Sequence, residues 1–313
     1  MAIGIAALLL SFGTASAQDS PAGLRVLTYN VLHDGAWSGF FDGGTHLEER
    51  LSLTIGELQR LQPDIIALQE ASVSRRHGNV PQRIAETLGY QLVYAPATEL
   101  VSGFRPLDWL IVTLLGFREG PAILSRFPVT ASEVYELPRC RHRLEPRVLL
   151  RAEIATPEGP LHIFSTHTAR GDECQIRRVG ELFQAHRETG RAVLMGDFNT
   201  GDQSETVTEW LTQRSFIDVF RSANPAEPGF TVWQHIHEAP STATRRVDFI
   251  FLVDAEGGAE ASVRESRLAF EQLGRLPDGT PLWPSDHRGV FAEFAPRFTH
   301  NHAGNAGRSD SLP

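Results

Sequence analysis

Residues 192–199 read AVLMGDFN. An aliphatic run this short, closed by a glycine, reads as a buried strand, and Asp197 and Asn199 then stand at its end. The same wording recurs along the chain. Thr28-Tyr29-Asn30 follows LRVL, Gln69-Glu70 follows DIIAL, and Ser165-Thr166-His167 follows LHIF. Arg246-Val247-Asp248 precedes FIFL, Ser285-Asp286-His287 precedes RGVF, and Glu145-Pro146-Arg147 precedes VLL. Strand ends are where a rigid sheet can hold a polar constellation. This one combines carboxylates, amides and imidazoles, a set suited to a hard divalent cation and a phosphate.

Outward from these islands, strand-like segments at 24–30, 64–69, 90–95, 122–125, 148–155, 161–166, 192–196, 247–253 and 289–294 alternate with helical patterns at 47–61, 80–88, 173–188 and 204–213. Hairpin-like spacing around 148–166 predicts a mixed sheet, not a purely parallel one. The chain has 313 residues, 41% of them hydrophobic, with no composition shift that would split it into two cores. One large domain over 18–296 is the economical reading. Residues 297–313 are polar and glycine-containing and are expected to form a frayed tail.

Net charge is −9 and no run of Lys or Arg appears, which argues against a broad electrostatic grip on nucleic acid. A divalent cation still draws phosphate into an acidic cleft, so charge alone does not exclude a nuclease. The first 17 residues, MAIGIAALLLSFGTASA, form an apolar stretch ending in Ala15-Ser16-Ala17, the pattern that precedes signal cleavage, although the n-region lacks a Lys or Arg. A secreted or periplasmic protein is expected, with a misplaced start codon or an uncleaved anchor as the alternatives. Only Cys140 and Cys174 are present, and an oxidising compartment would let them pair; two unrelated thiols are the equal alternative.

The order and wording of the polar islands resemble the endonuclease/exonuclease/phosphatase superfamily, which includes deoxyribonuclease I type nucleases, apurinic endonucleases, bacterial sphingomyelinases and inositol polyphosphate phosphatases. The matching segments run from about Leu24 to about Phe294. The resemblance implies an α/β fold: a four-layer sandwich of two packed mixed β-sheets flanked by helices, deoxyribonuclease I-like, with the active site at one end. It also implies a magnesium-dependent phosphoric ester hydrolase, with manganese as a substitute.

Hydrolysing a phosphate ester needs a cation to withdraw charge from phosphoryl oxygens, an oriented water and a proton for the leaving oxygen. Glu70, a lone carboxylate closing an apolar strand, is the first candidate metal ligand, and the resemblance makes its counterpart a magnesium ligand. Asn30 offers a neutral oxygen to the same cation or a donor to the phosphate, and Asp286 a further carboxylate. Asp197 and Asn199, two apart, would share a face, one orienting or deprotonating water and the other donating to a phosphoryl oxygen; an Asx turn is the plainer reading of D-x-N. By resemblance, His287 pairs with Asp248, and the sequence leaves open whether His287 or Asp197 takes the water proton. His167 would face the phosphate from the other sheet. Arg147 would donate to it too, although Val148 stands where the family often has glycine, and a structural salt bridge is an equal use. The other ten of the twelve histidines, His33 among them, read as ordinary surface or packed residues, with a smaller chance that His235 and His237 line the cleft.

Substrate choice falls to the loops. The stretch DWLIVTLLGF, within an apolar run at 107–117, and a loop holding Trp37, Phe40 and Phe41 suit a lipid or an aromatic leaving group better than a hydrated duplex. The plainer reading of 107–117 is an extra core helix or strand. The partner expected is therefore a phosphate-ester substrate, with a lipid surface met through 107–117, nucleic acid less favoured, and no obligate protein partner evident. Three classes remain: a phosphodiesterase or phosphomonoesterase, nucleases included; an exported binding protein without catalysis; and a cell-surface interaction protein using its apolar loops.

Overall fold

Most central strands of this chain bury both faces, so their apolar runs are continuous, and the alternation shows in what each face meets. In β1 (Leu24–Asn30), Val26 faces the other sheet while Leu27 and Tyr29 face helices. The computed structural model describes residues 23–33, 45–97, 104, 106–107, 110, 113–114, 116–141, 146–186, 192–201, 204–213, 216–253 and 263–295. The expected signal segment 1–17, the tail 297–313 and the loop with Trp37, Phe40 and Phe41 lie outside them.

After β1 come α1 (Leu47–Leu61), β2 (Ile65–Ser74), β3 (Gly78–Asn79), α2 (Val80–Leu88), β4 (Gln91–Tyr94), β5 (Phe117–Ser125), β6 (Val129–Glu136), β7 (Val148–Thr156) and β8 (Gly159–His167). The second half holds α3 (Glu173–Gln184), β9 (Ala192–Asp197), α4 (Glu205–Thr212), β10 (Phe216–Asp218), α5 (Val219–Ala223), β11 (Asp248–Val253), β12 (Val263–Ala269), β13 (Gly274–Arg275), β14 (Pro281–Leu282) and β15 (Gly289–Phe294). One sheet runs β12-β15-β1-β2-β5-β4 with β3 beside β2, the other β10-β11-β9-β8-β7-β6, and β13-β14 form a small hairpin. Pairs β1–β2 and β8–β9 are parallel and the remaining pairs antiparallel, so both sheets are mixed.

Val26, Ile65, Ile123, Leu150, Ile163, Met195, Ile250 and Val290 fill the space between the sheets. Leu51, Leu58 and Ile84 of α1 and α2 cover the outer face of the first sheet; Ile176, Val179, Phe183 and Trp210 of α3 and α4 cover the second. This is the four-layer sandwich expected. Helix α1 forms because Leu47, Leu51, Thr54, Leu58 and Leu61 make one buried stripe, with Glu48 and Glu49 at the positive end of its dipole. Helix α3 stops at Gln184, short of the expected 188.

The 107–117 run divides. Phe117 is buried in β5, but Leu107, Leu110 and Leu114 are exposed, as is Phe104 just before them. The extra-core reading fails for these three leucines because no layer covers them. Cys140 and Cys174 form a disulfide, with Cα atoms 6.5 Å apart, which joins the loop before β7 to the first turn of α3.

Candidate active site

Topology brings the polar islands to one end of the sandwich. Parallel pairing puts the ends of β1 and β2 side by side, with Asn30 opposite Gln69, and likewise sets His167 of β8 opposite Asp197 of β9. Strand β11 runs the other way, so its first residue, Asp248, lands opposite Asp197. Strand β15 also begins here, antiparallel to β1, which carries in Asp286 and His287 just before it. Gln69 links the two sheets at this end, its amide 3.4 Å from Ser165 Oγ.

Glu70 reaches the site through a β-bulge. Pairing of β2 with β5 slips between Leu68 and Ala71, so Gln69 and Glu70 together oppose Pro121, a residue with no N–H to give. Glu70 takes φ 54°, which turns its carboxylate off the pleat. Asn30 Nδ2 donates to Glu70 Oε1 at 3.1 Å and to Asp197 Oδ2 at 3.0 Å, while Asn30 Oδ1 accepts the Leu32 N–H at 3.0 Å. Asn30 thus couples the two sheets' carboxylates.

Asp197 Oδ1 accepts the Asn199 backbone N–H at 2.7 Å, so the Asx turn coexists with a place in the site. Burial raises the Asp197 carboxyl to about 7, against the pull of the His287 cation. His167 is held from both sides: Arg147 Nη1 lies 3.0 Å from Nδ1, and Asn199 Nδ2 lies 2.8 Å from Nε2. A guanidinium and an amide nitrogen both only donate, and a neutral imidazole has one lone pair, so the ring accepts from one of the two at a time; Nε2 also lies 3.4 Å from Asp197 Oδ2. Burial, and then the Arg147 charge, keep this imidazole well below its ordinary range and hence neutral.

His287 is the opposite case. Its Nδ1 lies 2.9 Å from Asp248 Oδ2 and its Nε2 3.6 Å from Asp197 Oδ2. Burial alone would lower its affinity for a proton, but the flanking Asp248 and Asp197 carboxylates raise it well above the ordinary histidine value. Ser285 donates to Asn30 O at 2.7 Å and accepts the His287 N–H at 3.2 Å, tying the β15 approach to β1. Beneath them the fully buried Arg50 of α1 donates to Val31 O, Leu32 O and Pro284 O, fastening both loops from behind.

Glu70, Arg147, His167, Arg170, Asp197, Asn199, Trp233, Asp286 and His287 line a pocket of about 450 Å³. Asn30 and Asp248 stand just behind this lining, so every site residue expected from sequence is gathered here. Arg170 and Trp233 were not foreseen: the guanidinium carbon of Arg170 stacks 4.4 Å from the centre of the Trp233 ring, which is 39% exposed. His33, read from sequence as ordinary, stands instead beside Glu70, and Glu119 of β5 beside His33. Neither His235 nor His237 is among the lining residues. Arg246 of the R-V-D island serves the fold, paired in the interior with Asp218 at the start of α5.

The donor set fits a hard cation. Burial and the neighbouring Glu70 charge both raise Asp286, the repulsion expected where two carboxylates share a site that a divalent ion would relieve. Among the described residues, ligand atoms of Asp197, Asp248 and His287 lie within 4.8 Å of one another, as do those of His33, Glu70 and Glu119.

Residues 27–287 match the endonuclease/exonuclease/phosphatase family model. Among solved structures, a family protein from Leptotrichia buccalis C-1013-b is 20% identical with TM-score 0.60, covering 87% of this chain and 99% of its own. A mannosyl-6-phosphatase from Bacteroides thetaiotaomicron VPI-5482 is 18% identical with TM-score 0.64, over 87% and 99%. Truncated Caenorhabditis elegans TDP2 is 18% identical with TM-score 0.57, over 87% and 97%. At such identities the likeness establishes the fold alone. No curated protein matches the chain by sequence.

Proposed function

The chain belongs to the endonuclease/exonuclease/phosphatase family, a family of hydrolases generally dependent on divalent metal, and from that membership we propose an exported magnesium-dependent phosphodiesterase. The observation that carries the reading is the chain of close contacts Asp248–His287–Asp197, 2.9 and 3.6 Å long, in one pocket with two carboxylates suited to a cation. Glu70 and Asp286, with the remaining lone pair of Asn30, would hold the ion. When bound, it supplies positive charge that draws electron density from the phosphoryl oxygens.

Asp197 is the base in this reading. His287, kept protonated by its two carboxylates, cannot take a further proton; it donates from Nε2 to a phosphoryl oxygen. Asp197, raised toward neutrality, accepts the proton of the attacking water. Neutral His167 and Asn199 face the developing negative charge, and Arg147 adds its cation behind His167. Trp233 under Arg170 forms an apolar yet positively backed wall where an organic or aromatic leaving group would rest.

The exposed Phe104, Leu107, Leu110 and Leu114 favour a lipid-surface substrate over long duplex DNA, as does the acidic net charge of −9. The mannosyl-6-phosphatase neighbour supports a small phosphate monoester as the second reading. A side-by-side assay on sphingomyelin or phosphatidylinositol vesicles, supercoiled plasmid, single-stranded oligonucleotide and mannose 6-phosphate separates these. Vesicle hydrolysis is the expected outcome; rapid plasmid nicking with inert vesicles would reject the lipid preference.

A further inference from the structure

Glu70 occupies left-handed backbone, φ 54°, at a bulge. A side chain re-aimed in this way keeps one orientation only if its surroundings fix it. Asn30 fixes one carboxylate oxygen. The other, Oε2, faces His33 twice: the His33 backbone N–H donates to it at 3.2 Å, and the ring Nε2 lies 3.5 Å away.

The same Nε2 lies 2.8 Å from Glu119 Oε2. Glu119 sits on β5 opposite Ser72, two residues beyond Glu70 along β2, so Glu70 and Glu119 reach out from neighbouring strands of one sheet. Phe117, two residues before Glu119 on the same face of β5, packs edge-on against the His33 ring with centroids 5.3 Å apart. Alternate residues of one strand therefore meet the ring, Phe117 edge-on against its plane and Glu119 close to its Nε2.

We infer that His33 and Glu119 form a positioning pair for the cation site, fixing which lone pairs of Glu70 face the pocket. This rests on the metal-dependent reading given above. Neither residue is among those that line the pocket. Groups that orient a metal-binding side chain change metal affinity by about tenfold to a hundredfold when removed. A merely structural role would leave that affinity unaltered.

The experiment titrates Mn2+ into wild type, His33→Ala, Glu119→Ala and Glu119→Gln, reading free Mn2+ by electron paramagnetic resonance, beside Mg2+ activation curves on bis-nitrophenyl phosphate. The dissociation constant should rise about tenfold to a hundredfold in the two alanine variants. In Glu119→Gln, which keeps an oxygen acceptor for the ring, it should rise less. Turnover at saturating metal should stay within a few-fold of wild type. An unchanged dissociation constant in Glu119→Ala, with circular dichroism matching wild type, overturns the pairing. A histidine nitrogen coupling to bound Mn2+ that vanishes in His33→Ala overturns it too, by making His33 a direct ligand. A wild-type protein that binds no Mn2+ and ignores chelators rejects the metal-dependent reading itself, and the pair's role with it.

Discussion

Asp248 gives one oxygen to His287 and leaves the other, Oδ1, buried without a hydrogen-bond partner among the described residues. The pair is therefore asymmetric in energy. Removing His287 alone strands a buried carboxylate, which costs about 3 to 5 kcal/mol, whereas replacing both partners by neutral groups costs much less. His287→Ala should lower turnover by about a hundredfold or more, the scale of a lost acid-base or electrostatic group, and should also lower the melting point. Adding Asp248→Asn should restore much of the melting point and none of the turnover. A double variant no more stable than His287→Ala would show that the Asp248 charge is not what the histidine shields. At this scale the strand-end residues were legible because each closes or leads an apolar run. His33 was not, since its meaning depends on Phe117 and Glu119 from a distant strand and on a bulge that no periodicity announces.

The elements divide along the same line. Helices α1 and α2 begin and end where their apolar stripes do, and the central strands follow their aliphatic runs. Strand β12 and the first half of β6 escaped a sequence reading because each lies at the edge of a sheet, where VTASEVYE is mostly exposed and VRESRLA buries only Ser266 and Ala269, too little to impose a pattern. Arg50 escaped for another reason: a helical arginine reads as solvated, yet this one spends its fork on carbonyls of two site loops. The disulfide also acts between elements. Cys140 precedes β7, which Arg147 introduces, and Cys174 opens the helix that follows His167 and Arg170, so the bond staples two loops that line the pocket. Its 34-residue separation corresponds to about 4 kcal/mol in the chain-entropy model. Cys140→Ser with Cys174→Ser should lower the unfolding free energy by nearly that amount in denaturant titrations. It should also raise KM more than it lowers kcat, because the loops lose register while the strand-end chemistry stays in place. Unchanged stability on reduction would remove the staple from this account.

Across the whole molecule, two sheets that each join a parallel pair to antiparallel neighbours bring strand ends and strand starts to one rim, and that rim is where the titratable groups gather. The exposed apolar residues Phe104, Leu107, Leu110 and Leu114 belong to the surface of the molecule, not to its layers. Leu107→Ser with Leu114→Ser should therefore weaken binding to phospholipid vesicles while leaving the melting point and the hydrolysis of a soluble ester near wild type; a sharply lowered melting point would place these leucines back in the core. The central claim is that the rim is a metal-dependent phosphoesterase centre built around Glu70. Turnover of bis-nitrophenyl phosphate against free Mg2+, for wild type and Glu70→Ala, tests it most directly. The account predicts activity abolished by complete chelation, restored by Mg2+ in wild type and absent in Glu70→Ala at every concentration; wild-type turnover that survives chelation, or a variant as active as wild type, would contradict it.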